Sequence, residues 1–237
     1  LTSTEAGSDA TSIKDSGVVC KGEFEGKEIV GIKLNFDKRY ITLAPVATVL
    51  GLAVQLYDPE HLLGDEEDLG ITLMLLPTST PGVNTGERHM PMHLSFMNGP
   101  ASGKDVFIPL DWIIGGVEQK GKGWRMLMES LATGRGISLP ALSCSATKMS
   151  YRMTGAYAKL RQQFRMSIGR FEGVQEAMAE ISGYNYLANA TRILTTATID
   201  AGYRPSIATA ISKYHLTELA RKAVNHAFDV HAGRAVQ

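Results

Sequence analysis

The sequence changes grammar once along its length, and that change limits the fold to a β part followed by an α part. Up to about residue 115 it is written in short β-branched and aromatic runs separated by turn signals. After Gly123 the apolar residues recur at three- and four-residue steps. In the first part, Val18-Val19-Cys20 and Ile29–Ile32 flank Glu25-Gly26-Lys27, which predicts a hairpin. Tyr40-Ile41-Thr42, Val46 to Tyr57, Ile71 to Leu76 and Val106–Pro109 are further strands. Six or more short strands predict a small antiparallel barrel or sandwich. In the second part a helix starts over Trp124 to Leu131, and Pro140 to Arg161 reads as a second. A third runs from about Phe171 to Asp200, with Val174, Met178, Ile181, Tyr184, Leu187, Thr191 and Leu194 on one face. Gly202 and Pro205 close it. Ser206 is placed to cap a fourth, which carries Ile207, Ile211, Tyr214, Leu219, Val224 and Ala227. Both stripes are expected to be bundle core. The fold class is therefore α+β, with a β domain over 1–117 and a helical domain over 118–237.

Composition removes several functions. The 24 Lys+Arg balance 24 Asp+Glu, so no net field draws the chain to nucleic acid or an anionic membrane. A polyanionic ligand would have to be held by local arginines. No stretch approaches the roughly 18–20 apolar residues that span a bilayer. Cys20 and Cys144 have no partners at metal-ligand spacing and read as two reduced thiols of a cytoplasmic protein. The chain opens without Met or any lead-in, so an internal piece of a longer protein is expected.

Most candidate sites have a plain structural explanation. Gly121-Lys122-Gly123-Trp124 lacks the third glycine and βαβ setting of a dinucleotide fingerprint, and reads as a helix entry with a packed tryptophan. Pro91 between His89 and His93 keeps the two imidazoles off a common helical face, and His215, His226 and His231 lack ligand spacing. Ser143-Cys144-Ser145 lacks a nucleophile's glycine elbow. Two segments stay open. Leu1–Asp9 gathers hydroxyls, small residues and backbone N–H groups, which suits an ordinary turn or the close approach of a polar ligand. Arg161, Arg165 and Arg170 fall within ten positions after a long helix. They suit either the helix C-terminus, at about 0.3–1 kcal/mol, or a pyrophosphate.

Five segments in order resemble the acyl-CoA dehydrogenase family. Leu1 to Asp9 resembles its flavin-contacting T-E-P-x-A-G-S-D segment, and Lys38-Arg39-Tyr40-Ile41-Thr42 its x-x-W-I-T strand. Gly121-x-Gly123-Trp124 also matches. Arg161-x-Gln163-Phe164 with Ile168 to Gln175 resembles R-x-x-F-G-x-x-I-x-x-x-Q, and Asp229 to Gly233 the x-x-x-G-G turn. Within the family the likeness is to the large bacterial enzymes of fatty-acid β-oxidation, through Gly134-Arg135-Gly136-Ile137 and Lys38 to Pro45. Departures are Ser3-Thr4-Glu5 for E-P-x, Tyr40 for tryptophan, Glu172 for glutamine and Ala232 for glycine.

The resemblance implies FAD and the dehydrogenation of fatty acyl-CoA thioesters to trans-2-enoyl-CoA. It assigns Leu1 and Thr2 to the flavin pyrimidine edge, Ser8 to the acyl-CoA and flavin, and Tyr40, Ile41 and Thr42 to one flavin face. Arg161, Gln163 and Phe164 would meet the pyrophosphate and adenosine of a neighbouring subunit's FAD, with Phe171 nearby. Asp229 and Gly233 would line the adenine side, and Gly134 and Arg135 the thioester. Gly134 stands where some relatives carry the catalytic glutamate, so the base is expected beyond Gln237 and this fragment alone to be inactive. An electron-transfer flavoprotein or similar acceptor and a homo-oligomer of at least two subunits are implied. Inner-membrane association would come only through segments outside these residues. The same fold also serves acyl-CoA oxidases, flavin monooxygenases and non-catalytic scaffolds.

Overall fold

A computed structural model describes residues 1–236, without the side chains of Ala132 and Thr133. It divides into two compact units, Leu1–Leu127 and Met128–Gln237.

The first unit is built on six strands: β1 (Ser16–Phe24), β2 (Lys27–Thr42), β3 (Val49–Tyr57), β4 (Asp68–Pro77), β5 (Val83–Thr85) and β6 (Asn98–Pro109). Glu25 and Gly26, both at positive φ, make the tight turn between β1 and β2. The sheet order is β4-β3-β1-β2-β6-β5. All pairings are antiparallel except β1 with β3, which run parallel over Ser16–Val18. Of the antiparallel barrel or sandwich expected, a closed barrel is not what the strand pairings make. β4 and β5 end an open sheet, and the chain after β6 covers the β4 edge instead, through the Met74–Ile113 bridge and Ile114 N–H donating to the Leu73 carbonyl. Val19, Ile32, Leu34, Leu56, Met74 and Ile108 form the heart of the core. A second cluster, Ala6, Ile13, Ala53 and Ile71, holds the N-terminal segment and Trp124 against β3 and β4.

The Gly121–Trp124 motif is the helix entry that its sequence suggests. Gly121 lies at φ +74°, donates to Thr72 Oγ1 at 2.9 Å, and packs so closely that a Cβ would collide with the Leu69 carbonyl.

Three long helices follow: α1 (Gly123–Leu160), α2 (Glu172–Asp200) and α3 (Ser206–His231). Where two helices were expected around Pro140, α1 is continuous. Proline removes one amide bond and crowds the carbonyl four residues back. Here that residue is Gly136, whose backbone is the freest to yield. Ser206 is the first helical residue and Pro205 the cap position, with no side-chain capping bond.

Of the thirteen stripe residues expected as core, Ile181 is buried, seven are half-buried and five are exposed. The residues buried in α2 are Ile181, Ala188 and Thr195, and in α3 Ser212, Leu216, Ala220 and Ala223. Leu187, Leu194, Ile207, Ile211 and Tyr214 are exposed. The seam is made by small side chains that let backbones approach. Thr195 and Ser212 share a buried hydroxyl–hydroxyl bond of 2.7 Å, and Cys144 Sγ donates to the Ala188 carbonyl at 3.1 Å. Burial pushes the Cys144 thiol above its ordinary range, with Arg192 partly offsetting it. Cys20 is also a free thiol. Among the described residues no helix is long and apolar enough to cross a membrane.

Gly121→Ala is expected to destabilise the protein by about 2 kcal/mol or more, since the residue must then hold a left-handed conformation and strike backbone. Urea denaturation read by circular dichroism checks it.

Candidate functional site

In the first unit the site is organised by a bulge in β2. Ile32, Leu34, Phe36 and Lys38 alternate inward, and all are buried. Between Lys38 and Ile41 the register slips: Lys38 faces Ala101 and Ile41 faces Gly99, so the bulged strand carries one residue more than β6. The extra residue reverses the facing of the positions after it. Tyr40, which strict alternation would bury, turns out to solvent at φ +56° and is 62% exposed. Leu43, also at positive φ, and Val46 follow it in the chain as further exposed apolar residues.

The bulge is also where the N-terminal segment docks. Arg39 N–H donates to the Thr2 carbonyl at 2.9 Å, and Ser3 bridges to Lys38. Beneath them Lys38 Nζ meets Asp15 Oδ2 at 2.6 Å, with both side chains almost wholly buried. The same ammonium donates to the Leu1 carbonyl at 3.3 Å, and Asp15 Oδ1 accepts the Asp37 N–H at 2.8 Å. Burial pushes the Lys38 ammonium below its usual range, and Asp15 pulls it back.

Among the described residues, three buried polar atoms around this bulge have no hydrogen-bond partner: Ser3 Oγ, Asn98 Oδ1 and His89 Nδ1. Ser3 pairs with Lys38, Asn98 lies opposite Thr42, and the His89 ring sits 5.2 Å from that of Tyr40. Buried polar groups are ordinarily satisfied, so three orphans around one bulge set it apart from the rest of the sheet.

The structure therefore brings Leu1, Thr2, Tyr40, Ile41 and Thr42 together. Leu1, Thr2 and Ile41 are half-buried, while Tyr40 and Thr42 are exposed. Ser8 lies farther along, exposed, in a bend where Ser12 Oγ donates to the Asp9 carbonyl.

In the second unit the candidate residues gather around a hairpin of two short strands, β7 (Gln162–Gln163) and β8 (Met166–Ser167). Its turn residues, Phe164 and Arg165, are both at positive φ, at 50° and 64°. Such turns favour Asn-Gly. Phe164 is also 86% exposed, so burial does not repay the strain, and Phe171 meets it only edge-on at 6.0 Å. Arg161, Arg165 and Arg170 are exposed and form no ion pair among the described residues. Strained, exposed side chains beside unpaired cations suit an anionic ligand with an aromatic part.

Asp229, near the end of α3, and Gly233, in the turn after it, are exposed. Tyr157 and His231 stack at 4.3 Å and tie that end of α3 to the end of α1, from which the hairpin springs. Gly134 and Arg135 lie exposed on α1, one turn or so from a cavity of about 670 Å³. Met128, Ile199, Tyr203, Arg204 and Pro205 are among its lining residues. Among the described residues no group of three His, Cys, Asp or Glu could hold a metal ion.

Sequence reasoning missed Lys38, Asp15, His89 and Asn98. The signal for Lys38 was present, since it continues the inward parity of Ile32, Leu34 and Phe36.

A β unit with a bulged central strand, followed by helices with an exposed arginine-rich hairpin, is an α+β fold of one recognisable class. The model of the acyl-CoA dehydrogenase C-terminal domain matches residues 121–237. A protein named HemX from Proteus mirabilis is 54% identical over 104 residues, 44% of this chain and 61% of that one. L-prolyl-[peptidyl-carrier protein] dehydrogenase of a Serratia strain is 32% identical over 76% of this chain and 42% of its own length. The probable acyl-CoA dehydrogenase YngJ of Bacillus subtilis is 30% identical over 98% of this chain and 57% of its own. Among solved structures, an acyl-CoA dehydrogenase from Geobacillus kaustophilus superposes at TM-score 0.83 with 23% identity, covering all of this chain and 58% of that one. The FAD complex of PigA superposes at 0.81 with 25% identity, covering all of this chain and 57% of that one. The chain thus spans about half the length of the curated relatives it matches. It belongs to the acyl-CoA dehydrogenase family.

Replacing Phe164-Arg165 by Asn-Gly is expected to raise stability by about 1–2 kcal/mol, the strain of two left-handed residues less what their contacts return. A higher urea midpoint with an unchanged slope is the sign of it.

Proposed function

We propose that this chain forms the flavin- and substrate-holding part of an FAD-dependent dehydrogenase that desaturates acyl thioesters, with fatty acyl-CoA as its substrate. The observation that carries the reading is the cluster of orphaned polar atoms around the β2 bulge, where Tyr40 is exposed. A flat heteroaromatic ring with polar edges fits such a place, and Arg161, Arg165 and Arg170, which form no ion pair among the described residues, fit the pyrophosphate of the same cofactor. In this reading Leu1 and Thr2 hold the ring's polar edge, and Tyr40, Ile41 and Thr42 cover one face. Arg161, Gln163, Phe164 and Phe171 hold the pyrophosphate and adenosine, with Asp229 and Gly233 on the adenine side. Ser8, Gly134 and Arg135 border the thioester. The cavity near Gly134 pairs an apolar wall with the cation of Arg204, a match in kind to an acyl chain with an anionic carrier.

When bound, FAD supplies the acceptor for the hydride that leaves the substrate β-carbon. The protein's part is to orient the thioester, exclude water and remove the α-proton with a carboxylate. Gly134 offers none, and the family resemblance would place the base at a glutamate beyond Gln237. Two subunits complete each cofactor site, with the β unit of one and the hairpin of the other, and reducing equivalents leave through an electron-transfer flavoprotein or similar acceptor. A second reading, a carrier-bound aminoacyl thioester as substrate, draws support from the likeness to the Serratia prolyl enzyme.

The intact protein, titrated anaerobically with saturated acyl-CoAs of several lengths, is expected to lose its flavin absorbance band and gain a long-wavelength charge-transfer feature. Indifference to every acyl-CoA with bleaching by prolyl-carrier protein would favour the second reading. Absence of flavin would reject both. The Phe164-Arg165 to Asn-Gly variant is expected to bind FAD at least about ten-fold more weakly while being the more stable protein.

A further inference from the structure

We propose that Lys38 and Asp15 are positioning residues that latch the flavin-edge segment onto the β2 bulge, an inference that rests on the flavin reading above. The segment Leu1–Asp15 is joined to β2 at both ends by one buried ion pair. Lys38 Nζ reaches the Leu1 carbonyl at the start, and Asp15 Oδ2 at the finish. Asp15 in turn accepts the Asp37 N–H through Oδ1, and its own carbonyl accepts the Gln55 N–H at 2.9 Å. A single carboxylate therefore registers the end of the segment against both β2 and β3. A single ammonium brings its beginning back to the same place.

The location of the pair argues for geometry over stability. Ile32, Leu34, Phe36 and Lys38 share one buried face, and a methionine would continue that run with no charge to desolvate. Replacing buried ion pairs by apolar residues of similar volume is commonly neutral or stabilising. What an apolar pair cannot do is hold the Leu1 carbonyl and the Asp37 amide. Those bonds flank Arg39, whose N–H holds Thr2, and Tyr40, whose positive φ turns its ring outward. Releasing them frees the two segments assigned to the ring edge and face, and leaves the rest of the sheet in place.

The test uses the intact protein, the double variant Lys38→Met/Asp15→Leu, and the shape-preserving Asp15→Asn should the double variant not fold. Three quantities are read: the urea midpoint, amide hydrogen exchange at Arg39 in the apoprotein, and FAD affinity with the fine structure of the bound flavin's absorbance band. The latch predicts a near-unchanged midpoint in the double variant. It also predicts Arg39 exchange and FAD dissociation constant both raised about ten-fold or more, the scale of losing a hydrogen bond to a charged group, with a blurred flavin band. Unchanged Arg39 exchange in a folded variant overturns the latch, whether or not flavin binds. Faster exchange with unchanged FAD affinity and spectrum overturns its role toward the cofactor. If the unsubstituted protein binds no FAD, the flavin reading falls, and the Arg39 rates alone decide whether the pair latches the segment.

Discussion

A lysine on the core side of a strand, one residue before a bulge, is the constraint on which the first unit depends. β-strand parity puts Lys38 inside, and a charged group inside must be paired and hydrogen-bonded. Asp15 meets that demand, and so fixes where the N-terminal segment ends and where it comes back over the sheet. The adjoining bulge makes two things available at once: the Arg39 amide, which takes the Thr2 carbonyl, and an outward Tyr40. The exposed Tyr40 and the orphaned polar atoms of Ser3, Asn98 and His89 then lie within one small neighbourhood. An ideal strand in that place would have buried Tyr40.

The second unit works by a different compromise. Its helices approach through Ala188, Thr195, Ser212, Ala220 and Ala223, a narrow seam with buried hydroxyl and thiol bonds across it. From the end of α1 it projects a hairpin that carries backbone strain at Phe164 and Arg165 without burial in return. Strain that persists where packing does not require it is most simply explained by what the side chains meet.

Much of this order was legible in the residues, and the failures share physical causes. The hairpin at Glu25-Gly26, the strands β3 and β4 and the two later helices follow from turn chemistry and periodicity. The full span of β2 did not, because its outward positions Lys33, Asp37 and Arg39 are polar and break the look of a strand. Three-residue β5 is too short to leave a period. Pro140 suggested a helix boundary, since its tolerance depends on Gly136 one turn back. The apolar stripes of α2 and α3 were only partly core: Ile181 is buried and seven others half-buried, while the closest packing uses small residues such as Ala188 and Ser212. The site residues came through resemblance. Its organising pair did not, though Lys38 was visible to anyone following parity past Phe36.

In the proposed reading FAD meets the β2 bulge of one subunit and the Phe164-Arg165 hairpin of its partner. Hydrogen exchange of the intact protein with and without FAD tests it most directly. The account predicts that FAD slows exchange in two places, at Thr2 with Arg39–Thr42 and at Arg161–Phe171, while the Glu25-Gly26 turn exchanges as before. Protection confined to one of those segments, or found elsewhere, would contradict it.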